Sequence, residues 1–176
     1  MPGCIVLVVG PSGAGKDTLI RLARTALAGE PRYVFPRRLV TRPPSADEDN
    51  DQIDEAAFAE GCADGRFTLS WRAHGLGYAL PAEAGRLASE GRVVVCNVSR
   101  RVIAQARTAV SRVSVVEVTA PSDILAQRLA VRGRVEDGDL AGRLARAVRV
   151  EADLSILNVG PPDAAAARLV AHLRAC

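Results

Sequence analysis

Short apolar runs recur along the chain. The first, Ile5–Val9, is wholly aliphatic and mostly β-branched. A continuous run of this kind is typical of a strand that is buried on both faces of a parallel sheet. Three later segments are also rich in Val, Ile and Leu, and two of them include polar residues. The pattern predicts strands at Ile5–Val9, Val93–Cys96, Val113–Val118 and Leu154–Leu157.

Segments with apolar residues at helical spacing lie between these runs and after the last one. In the first of them, Leu19, Leu22, Ala23 and Ala26 share one helix face. The spacing predicts helices at Lys16–Ala28, Pro81–Glu90, Arg100–Val110, Ser122–Arg132, Leu140–Val150 and Asp163–Arg174. The alternation predicts an α/β fold, in which helices cover both faces of a mostly parallel sheet. Such folds bind their ligands at the carboxyl ends of the strands.

Residues 34–80 interrupt this alternation. They contain an acidic segment from Asp47 to Asp51 and one further helix at Asp54–Asp64. We interpret the chain as a single domain, residues 1–176, with a core of about residues 1–33 and 81–176 and an inserted acceptor-binding subdomain of about residues 34–80. The acidic segment is either a solvated loop or a place where Glu48 or Asp49 helps to hold substrate or metal.

Composition narrows the possible partners. The net charge of +3 is too small to indicate a nucleic-acid partner. No apolar run reaches the roughly 20 residues that span a membrane, and the first residues lack a signal-peptide pattern, so we expect a cytoplasmic protein without a membrane partner. The cysteines are far apart in sequence and predict free thiols: Cys4, Cys62, Cys96 and Cys176.

A glycine-rich loop joins the first strand to the first helix. Gly10-x-x-x-x-Gly15-Lys16 has P-loop (Walker A) spacing in the expected context of strand and helix. Glycines let successive backbone N–H groups turn toward a phosphate, and the positive end of the helix adds to the attraction. Lys16, the only lysine among 23 basic residues, is expected to reach the β- and γ-phosphates. The motif predicts a nucleotide site comprising Gly10, Pro11, Ser12, Gly13, Ala14, Gly15, Lys16, Asp17 and Thr18.

The position after the lysine departs from the usual motif. A P-loop normally carries Ser or Thr there, and its hydroxyl binds Mg²⁺. This chain has Asp17, followed by Thr18. Because Mg²⁺ prefers hard oxygen ligands, we predict that Asp17 or Thr18 holds the ion. A structural alternative, compatible with the first, is that Asp17 stabilises the start of the helix.

Arginines cluster around the predicted helix Ser122–Arg132. Arg128 and Arg132 are four residues apart and therefore share one helix face. A polar segment follows, which predicts a lid at about residues 132–143 with arginines at its base. Such groups neutralise the charge of a phosphoryl group in transfer. On the residues alone, a solvated basic face is an equal alternative.

These motifs together resemble the guanylate kinase branch of the P-loop kinases. Gly10–Lys16 matches the loop of that branch, Thr41-Arg42-x-Pro its acceptor-phosphate segment, and Ala120-Pro-Ser…Arg128-Leu-x-x-Arg132-Gly its lid helix. The resemblance implies a guanylate kinase-like P-loop NTPase fold with ATP as donor. It also implies that Arg42 grips the acceptor, that Asn158 lies near the adenine, and that the phosphates are contacted by Arg128, Arg132 and Arg143.

The residues that read guanine in that branch are missing. Leu69 stands at the position of a glutamate and Arg38 at that of a serine, and no Asp or Glu occurs from Gly91 to Val116, where aspartates near the metal and base are expected. Polar mismatches are costly in a site built to hydrogen-bond a base. We therefore expect an acceptor without a base, held by added cations at Arg38, Arg72 and Arg37. Our hypothesis is that Asp17 supplies part of the missing magnesium-holding charge.

Three strings point to a narrower group. Gly15-Lys16-Asp17, Trp71-x-Ala73-His74-Gly75-Leu76-x-Tyr78 and Asn97-x-Ser99-Arg100 resemble the ribose 1,5-bisphosphate phosphokinase family. That resemblance implies ATP- and Mg²⁺-dependent phosphorylation of ribose 1,5-bisphosphate to 5-phosphoribosyl 1-diphosphate, in phosphonate catabolism. It also implies a phosphosugar site that includes Arg38, Arg42, His74 and Tyr78.

Several alternatives remain open at this stage. His74 either orients the sugar or packs beside Tyr78, and Trp71 either contacts the substrate or belongs to the core. The alternative functions are a nucleoside monophosphate kinase acting on GMP and a guanylate kinase-like interaction module without catalysis. The sequence does not specify an oligomeric state.

Overall fold

The fold is built on two sheets. The structure, a computed structural model, describes residues 2–43, 49–132 and 150–176. Its strands are β1 Cys4–Val9, β2 Tyr33–Val34, β3 Arg38–Val40, β4 Asn50–Gln52, β5 Phe67–Ala73, β6 Leu76–Pro81, β7 Val93–Asn97, β8 Val113–Thr119 and β9 Leu154–Leu157. Its helices are α1 Lys16–Ala26, α2 Glu55–Ala63, α3 Ala82–Ser89, α4 Ile103–Ala109 (preceded by a 3₁₀ turn, Arg100–Val102), α5 Ser122–Arg132 and α6 Pro162–Ala175.

The larger sheet has five parallel strands in the order β2-β7-β1-β8-β9. β1 lies at its centre, with Val8 opposite Asn97 of β7 and Val9 opposite Glu117 of β8. Every residue of β1 is buried, as its unbroken apolar run predicts. The α/β fold with a parallel sheet is therefore confirmed, and the loop after β1 lies at the carboxyl edge of the sheet.

Two hydrophobic clusters cover the faces of this sheet. Side chains alternate along β1, so that Val6 and Val8 join the cluster beneath α1 and α6, while Leu7 and Val9 join the cluster toward α3 and α4. Helices thus cover both faces, as the alternation of elements predicts. The second cluster extends to Leu69 and Leu80 in the smaller sheet, which fixes that sheet against the core.

The smaller sheet has the order β4-β3-β6-β5. β5 and β6 form a hairpin whose turn, His74-Gly75, has positive φ at both residues (53° and 75°), as a type I′ turn requires. β3 pairs with β6 in antiparallel fashion and with β4 in parallel. This sheet, with α2, is the part of the chain that breaks the α/β alternation.

Some helix bounds differ from the predicted ones. Tyr33–Val34, at the predicted junction between core and subdomain, pairs with β7 in the main sheet. α1 ends at Ala26 rather than Ala28, and α4 is preceded by the 3₁₀ turn, where the Ser99 hydroxyl accepts from the backbone N–H of Arg101. The predicted helix Leu140–Val150 and the predicted lid lie almost wholly outside the described residues.

The four cysteines are free thiols, as predicted. Cys4 and Cys176 meet at the amino end of the sheet, where a hydrogen bond from Cys4 lowers the pKa of the Cys176 thiol to about 7. Over the part of the chain that the structure describes, no helix combines the length and apolar character needed to cross a membrane.

Candidate active site

The loop after β1 is shaped by glycines that no other residue would replace without strain. Gly10, Gly13 and Gly15 have φ values of 144°, 82° and 91°. A Cβ on Gly10 would lie 2.0 Å from the carbonyl oxygen of Val118, and one on Gly15 would lie 2.4 Å from Nδ2 of Asn158. The loop is therefore pressed against β8 on one side and Asn158 on the other, which fixes the direction of its N–H groups.

Lys16 begins α1 directly after this loop. Its Nζ donates to the carbonyl oxygens of Gly10 and Pro11, each at 2.9 Å. The ammonium thus lies over the loop, close to the backbone N–H groups that would bind a phosphate. A compact ammonium with three donors suits this position, because it exchanges carbonyl partners for phosphate oxygens with little movement.

Arg128 and Asn158 form hydrogen bonds to backbone carbonyls of the P-loop. Arg128 on α5 donates to the carbonyl oxygens of Gly13 (3.2 Å) and Asn158 (3.1 Å), and Asn158 donates through Nδ2 to that of Ala14 (2.8 Å). Asn158 is only 3% exposed. The structure therefore brings both predicted residues to the P-loop, and it adds a supporting role for Asn158 that the resemblance does not include.

An open cleft of about 530 Å³ lies on this side of the loop. It is bounded by the P-loop, α5 and the start of α6, and its lining residues are Gly13, Gly15, Thr18, Gln127, Arg128, Val131, Asn158, Gly160 and Pro162. Its glycines, backbone groups and one arginine suit a nucleotide whose phosphates enter the loop.

Asp17 has one partner among the described residues. Oδ1 of Asp17 accepts a hydrogen bond of 2.7 Å from Nδ2 of Asn97, at the end of β7. Asp17 and Thr18 both line a second cleft beside the loop, so a carboxylate and a hydroxyl face the same space. These are hard oxygen donors of the kind that Mg²⁺ prefers, and the residues present therefore fit the predicted ion. The described residues contain no cluster of three or more His, Cys, Asp or Glu side chains suited to a metal.

This second cleft, of about 740 Å³, connects the P-loop with the smaller sheet. Thr18 and Val131 line both clefts, so the two adjoin. The residues that line the second cleft are Asp17, Thr18, Ile20, Arg21, Arg24, Phe35, Pro36, Arg38, Asp49, Asn50, Val95, Asn97 and Val131. The cleft begins at Asp17 and Thr18, and three arginines (Arg21, Arg24 and Arg38) and a second aspartate, Asp49, also line it.

Arg38 is held firmly in this cleft. Its Nε donates to Oδ1 of Asn50 at 3.0 Å, and its Nη1 donates to the carbonyl oxygen of Asn97 at 3.2 Å. Its guanidinium lies 5.8 Å from the ring centroid of Tyr78. Asn50 is 4% exposed, so the arginine is supported by a rigid partner. Arg38, which the sequence predicts as an acceptor residue, therefore lies in the cleft beside the P-loop.

The other predicted acceptor residues lie around this point rather than in the cleft. Tyr78 is buried and stacks on Trp71 with ring centroids 5.4 Å apart and planes 7° apart, so Trp71 belongs to the core, and Tyr78 supports Arg38 from below. His74 is exposed at the tip of the β5–β6 hairpin, and Arg42 follows β3 half-buried. Neither His74 nor Arg42 is among the described residues that line the cleft.

Arg72 and Arg37, two of the cations expected to face the acceptor, form ion pairs with other residues. Arg72 pairs with Glu55 and lies 4.9 Å from the Phe58 ring, and this pairing holds the pKa of the Glu55 carboxyl below its usual range. Arg37 forms ion pairs with Asp49 (2.8 Å) and Asp51 (3.1 Å). The expectation that Arg72 and Arg37 face the acceptor is therefore wrong: neither lines the cleft.

Sequence reasoning missed three residues of the cleft. Arg21 and Arg24 line it beside Asp17 because positions 17, 21 and 24 share one face of α1, a signal that helical spacing contained. Asn97 entered the sequence analysis only as part of the string Asn97-x-Ser99-Arg100, without a role in the site. Asp49 lines the cleft and pairs with Arg24 at 2.5 Å. A role for Asp49 in holding substrate or metal remains a prediction.

Some predicted residues lie outside what the structure describes. Glu48, Arg143 and nearly all of the lid are among them, and for Arg132 the structure gives the backbone at the end of α5 only. The guanine-reading position, Leu69, is described, and it is fully buried in the core.

Comparison with known proteins identifies the family of this chain. No family model matches the chain. Over all 176 residues, the chain is 79% identical to ribose 1,5-bisphosphate phosphokinase PhnN of Methylobacterium radiotolerans, and it covers the whole of that protein. The chain belongs to the ribose 1,5-bisphosphate phosphokinase family. A family member from Bradyrhizobium diazoefficiens is 51% identical over 98% of this chain and 89% of its own length.

Comparison with solved structures shows which fold this chain adopts. The crystal structure of guanylate kinase from Anaplasma phagocytophilum matches 99% of this chain and 86% of its own with a TM-score of 0.71, at 18% sequence identity. A likeness at this identity shows the fold alone, and it confirms the guanylate kinase-like fold that the motifs imply for the family.

Proposed function

We propose that this chain transfers the γ-phosphoryl group of ATP to the 1-phosphate of ribose 1,5-bisphosphate, giving 5-phosphoribosyl 1-diphosphate and ADP. The observation that carries the proposal is the cleft of about 740 Å³, which begins at Asp17 and Thr18 and contains three arginines. The position that would read a guanine base is Leu69, and it is sealed in the core. The names of the relatives at 79% and 51% identity support the same reaction.

In this proposal the P-loop and Lys16 bind the β- and γ-phosphates of ATP. Backbone N–H groups provide directed donors, and the ammonium provides a mobile positive charge. Mg²⁺, held by Asp17 or Thr18, supplies charge neutralisation at the phosphates when it is bound. Arg128 already touches the loop carbonyls of Gly13 and Ala14, from where a small movement brings it to the transferring group. We assign the same neutralising role to Arg132 and Arg143.

The acceptor is bound by charge. Arg38 holds the acceptor phosphates from within the cleft, and Tyr78 supports its guanidinium. From the family resemblance alone we assign a second phosphate contact to Arg42 and a sugar contact to His74, although neither lines the cleft among the described residues. Asn158 lies beside the nucleotide. An oxygen of the 1-phosphate attacks the γ-phosphorus in line, the bond from that phosphorus to the β-γ bridging oxygen breaks, and ADP leaves with the electron pair. The attacking oxygen is already largely anionic at pH 7, because the second pKa of a phosphomonoester is near 6. No general base is required, and positioning with charge neutralisation suffices.

An acceptor panel tests this proposal. The protein is assayed with ATP and Mg²⁺ against ribose 1,5-bisphosphate, ribose 5-phosphate, GMP and AMP under one set of conditions, with products identified by ³¹P NMR. We expect kcat/KM for the bisphosphate to exceed that for GMP by about 10²-fold or more, since a site without base-reading groups leaves the base unpaired. Ribose 5-phosphate, which lacks the acceptor phosphate but keeps the sugar, should not react.

Faster turnover of GMP than of ribose 1,5-bisphosphate would establish a nucleoside monophosphate kinase instead. Absence of transfer from ATP to any acceptor would establish an interaction module. The intact Lys16 and its geometry over the loop argue against the second outcome.

A further inference from the structure

Asn97 contacts both halves of the site. It is the last residue of β7, directly beside β1 in the main sheet. Its side-chain Nδ2 donates to Oδ1 of Asp17 at 2.7 Å, and its backbone carbonyl oxygen accepts from Nη1 of Arg38 at 3.2 Å. One residue on a rigid central strand thus connects the carboxylate beside the P-loop with the arginine of the acceptor cleft.

The Asp17 carboxylate depends on this contact for its orientation. In the described part of the chain, Asn97 is the partner of Asp17, and no arginine or lysine there forms an ion pair with it. A side-chain amide is the group that can do this, since Nδ2 donates without adding charge. The hydrogen bond occupies one lone pair of Oδ1 and leaves the remaining lone pairs of the carboxylate for other ligands.

The residue types at positions 17 and 97 are matched. A carboxylate at position 97 would face the Asp17 carboxylate at hydrogen-bond distance, and the two like charges would repel each other. An apolar residue at position 97 would leave Asp17 without an orienting donor. The pair therefore combines one carboxylate, Asp17 on α1, with one neutral amide, Asn97 on β7.

We propose that Asn97 is the positioning residue of this site: it orients Asp17 toward the Mg²⁺ that accompanies ATP, while its backbone holds Arg38 toward the acceptor. The identity of the acceptor in this inference rests on the proposed function. The identity of the ion rests on the oxygen donors of Asp17 and Thr18. Groups that orient a metal ligand in this way affect metal affinity or activity by about 10–100-fold when they are removed.

Four variants and one control separate the parts of the proposal. They are Asn97→Ala, Asn97→Asp, Asp17→Asn, the double variant Asp17→Asn/Asn97→Asp, and Gln105→Ala, which removes an exposed amide on α4. The first measurement is calorimetric affinity for a non-hydrolysable ATP analogue with and without Mg²⁺, which does not depend on turnover.

We expect Asn97→Ala to reduce the Mg²⁺-dependent gain in analogue affinity by about 10–100-fold and to leave metal-free affinity unchanged. Asp17→Asn should abolish that gain. The double variant restores one carboxylate and one amide with their places exchanged, and it should recover a large part of the gain. Asn97→Asp should show a larger rise in Tm on addition of Mg²⁺ than the parent, because the ion relieves the repulsion between two carboxylates. Gln105→Ala should match the parent throughout.

Kinetics provide the second measurement. Asn97→Ala keeps the backbone carbonyl that binds Arg38, so kcat should fall about 10–100-fold while KM for the acceptor stays within about twofold. Equal losses of metal-free and Mg²⁺-dependent affinity would overturn the proposal and assign Asn97 a structural role. An unchanged Mg²⁺ dependence in Asn97→Ala, or no recovery in the double variant, would overturn it as well. If the acceptor panel fails while the analogue affinities change as stated, the acceptor is wrong and the role of Asn97 stands.

Discussion

The glycines of the P-loop exclude a side chain for different reasons. At Gly13 a Cβ would meet the carbonyl oxygen of Leu125 at 3.2 Å, and at Gly15 it would meet the side chain of Asn158. At Gly10 it would overlap the backbone of Val118 in the neighbouring strand, which is the least movable of these partners. Gly29, at the end of the first helical segment, also has a positive φ of 85°, but nothing lies within 4 Å of a Cβ there.

This contrast predicts different costs for the same substitution. Gly29→Ala should lower the free energy of unfolding by about 1–2 kcal/mol, which is the backbone strain of a left-handed conformation. Gly10→Ala should cost about 1–3 kcal/mol more, because the methyl group has no space beside β8. Urea denaturation of both variants measures the difference. Equal losses would mean that the loop can move away from β8, contrary to the geometry described above.

At the level of elements, α6 and β8 meet through a polar contact below the sheet. Nε2 of His172 on α6 lies 2.8 Å from the hydroxyl of Ser114 on β8, and the carboxylate of Asp153 accepts from the backbone N–H of Val115 at 2.7 Å. Partial burial lowers the pKa of His172, and the nearby Asp153 opposes this only in part. The imidazole is therefore neutral in the folded protein over a range where the unfolded chain is already protonated.

This pKa shift predicts a loss of stability in weak acid. Because the folded-state pKa lies below the ordinary value of about 6.5, the unfolded chain binds more protons, and stability falls as the pH falls from about 7 toward 5. His172→Gln keeps a polar partner for Ser114 and should flatten the dependence of Tm on pH in this range. His74→Asn is the matched control, since the other histidine is exposed in a turn. A parent-like slope in His172→Gln would contradict the assignment.

The elements differ in how far the sequence predicts them. Four strands of the main sheet, β1, β7, β8 and β9, follow from segments rich in apolar residues, and α5 and β9 have the predicted bounds. The other strands, β2 to β6, were not predicted. Among them, β4 (Asn50–Gln52) is polar and three residues long, and it forms a strand by pairing with Arg38–Val40. The P-loop could be predicted because it is contiguous. The roles of Asn97 and Arg24 could not, since they depend on contacts that join distant segments.

At the scale of the whole molecule, charge is arranged unevenly although the net charge is only +3. Arg21, Arg24 and Arg38 line the acceptor cleft. Asp49 holds Arg24 at 2.5 Å and Arg37 at 2.8 Å, so one carboxylate connects α1 with the start of the smaller sheet. This cleft is lined by three arginines and two aspartates, Asp17 and Asp49, so it has a small excess of positive side chains, whereas the nucleotide side relies on directed backbone amides.

This division predicts different salt dependence for the two substrates. Raising KCl from 0.1 to 1 M shortens the Debye length from about 10 to about 3 Å and screens exposed charges more than partly buried ones. KM for the acceptor should therefore rise about threefold or more, and KM for ATP should rise less. Steady-state kinetics at several salt concentrations measure both values, with sucrose as a control for viscosity. An equal rise in the two KM values would contradict this division.

The solitary lysine has a practical consequence for spectroscopy. Reductive methylation with ¹³C-formaldehyde keeps the charge of an ammonium and modifies only amines, so it places one side-chain reporter in the entire chain, at Nζ of Lys16. The α-amino group also reacts, but its lower pKa separates its resonance on titration. A two-dimensional spectrum would then report directly on whether the ammonium faces the Gly10 and Pro11 carbonyls or a bound phosphate.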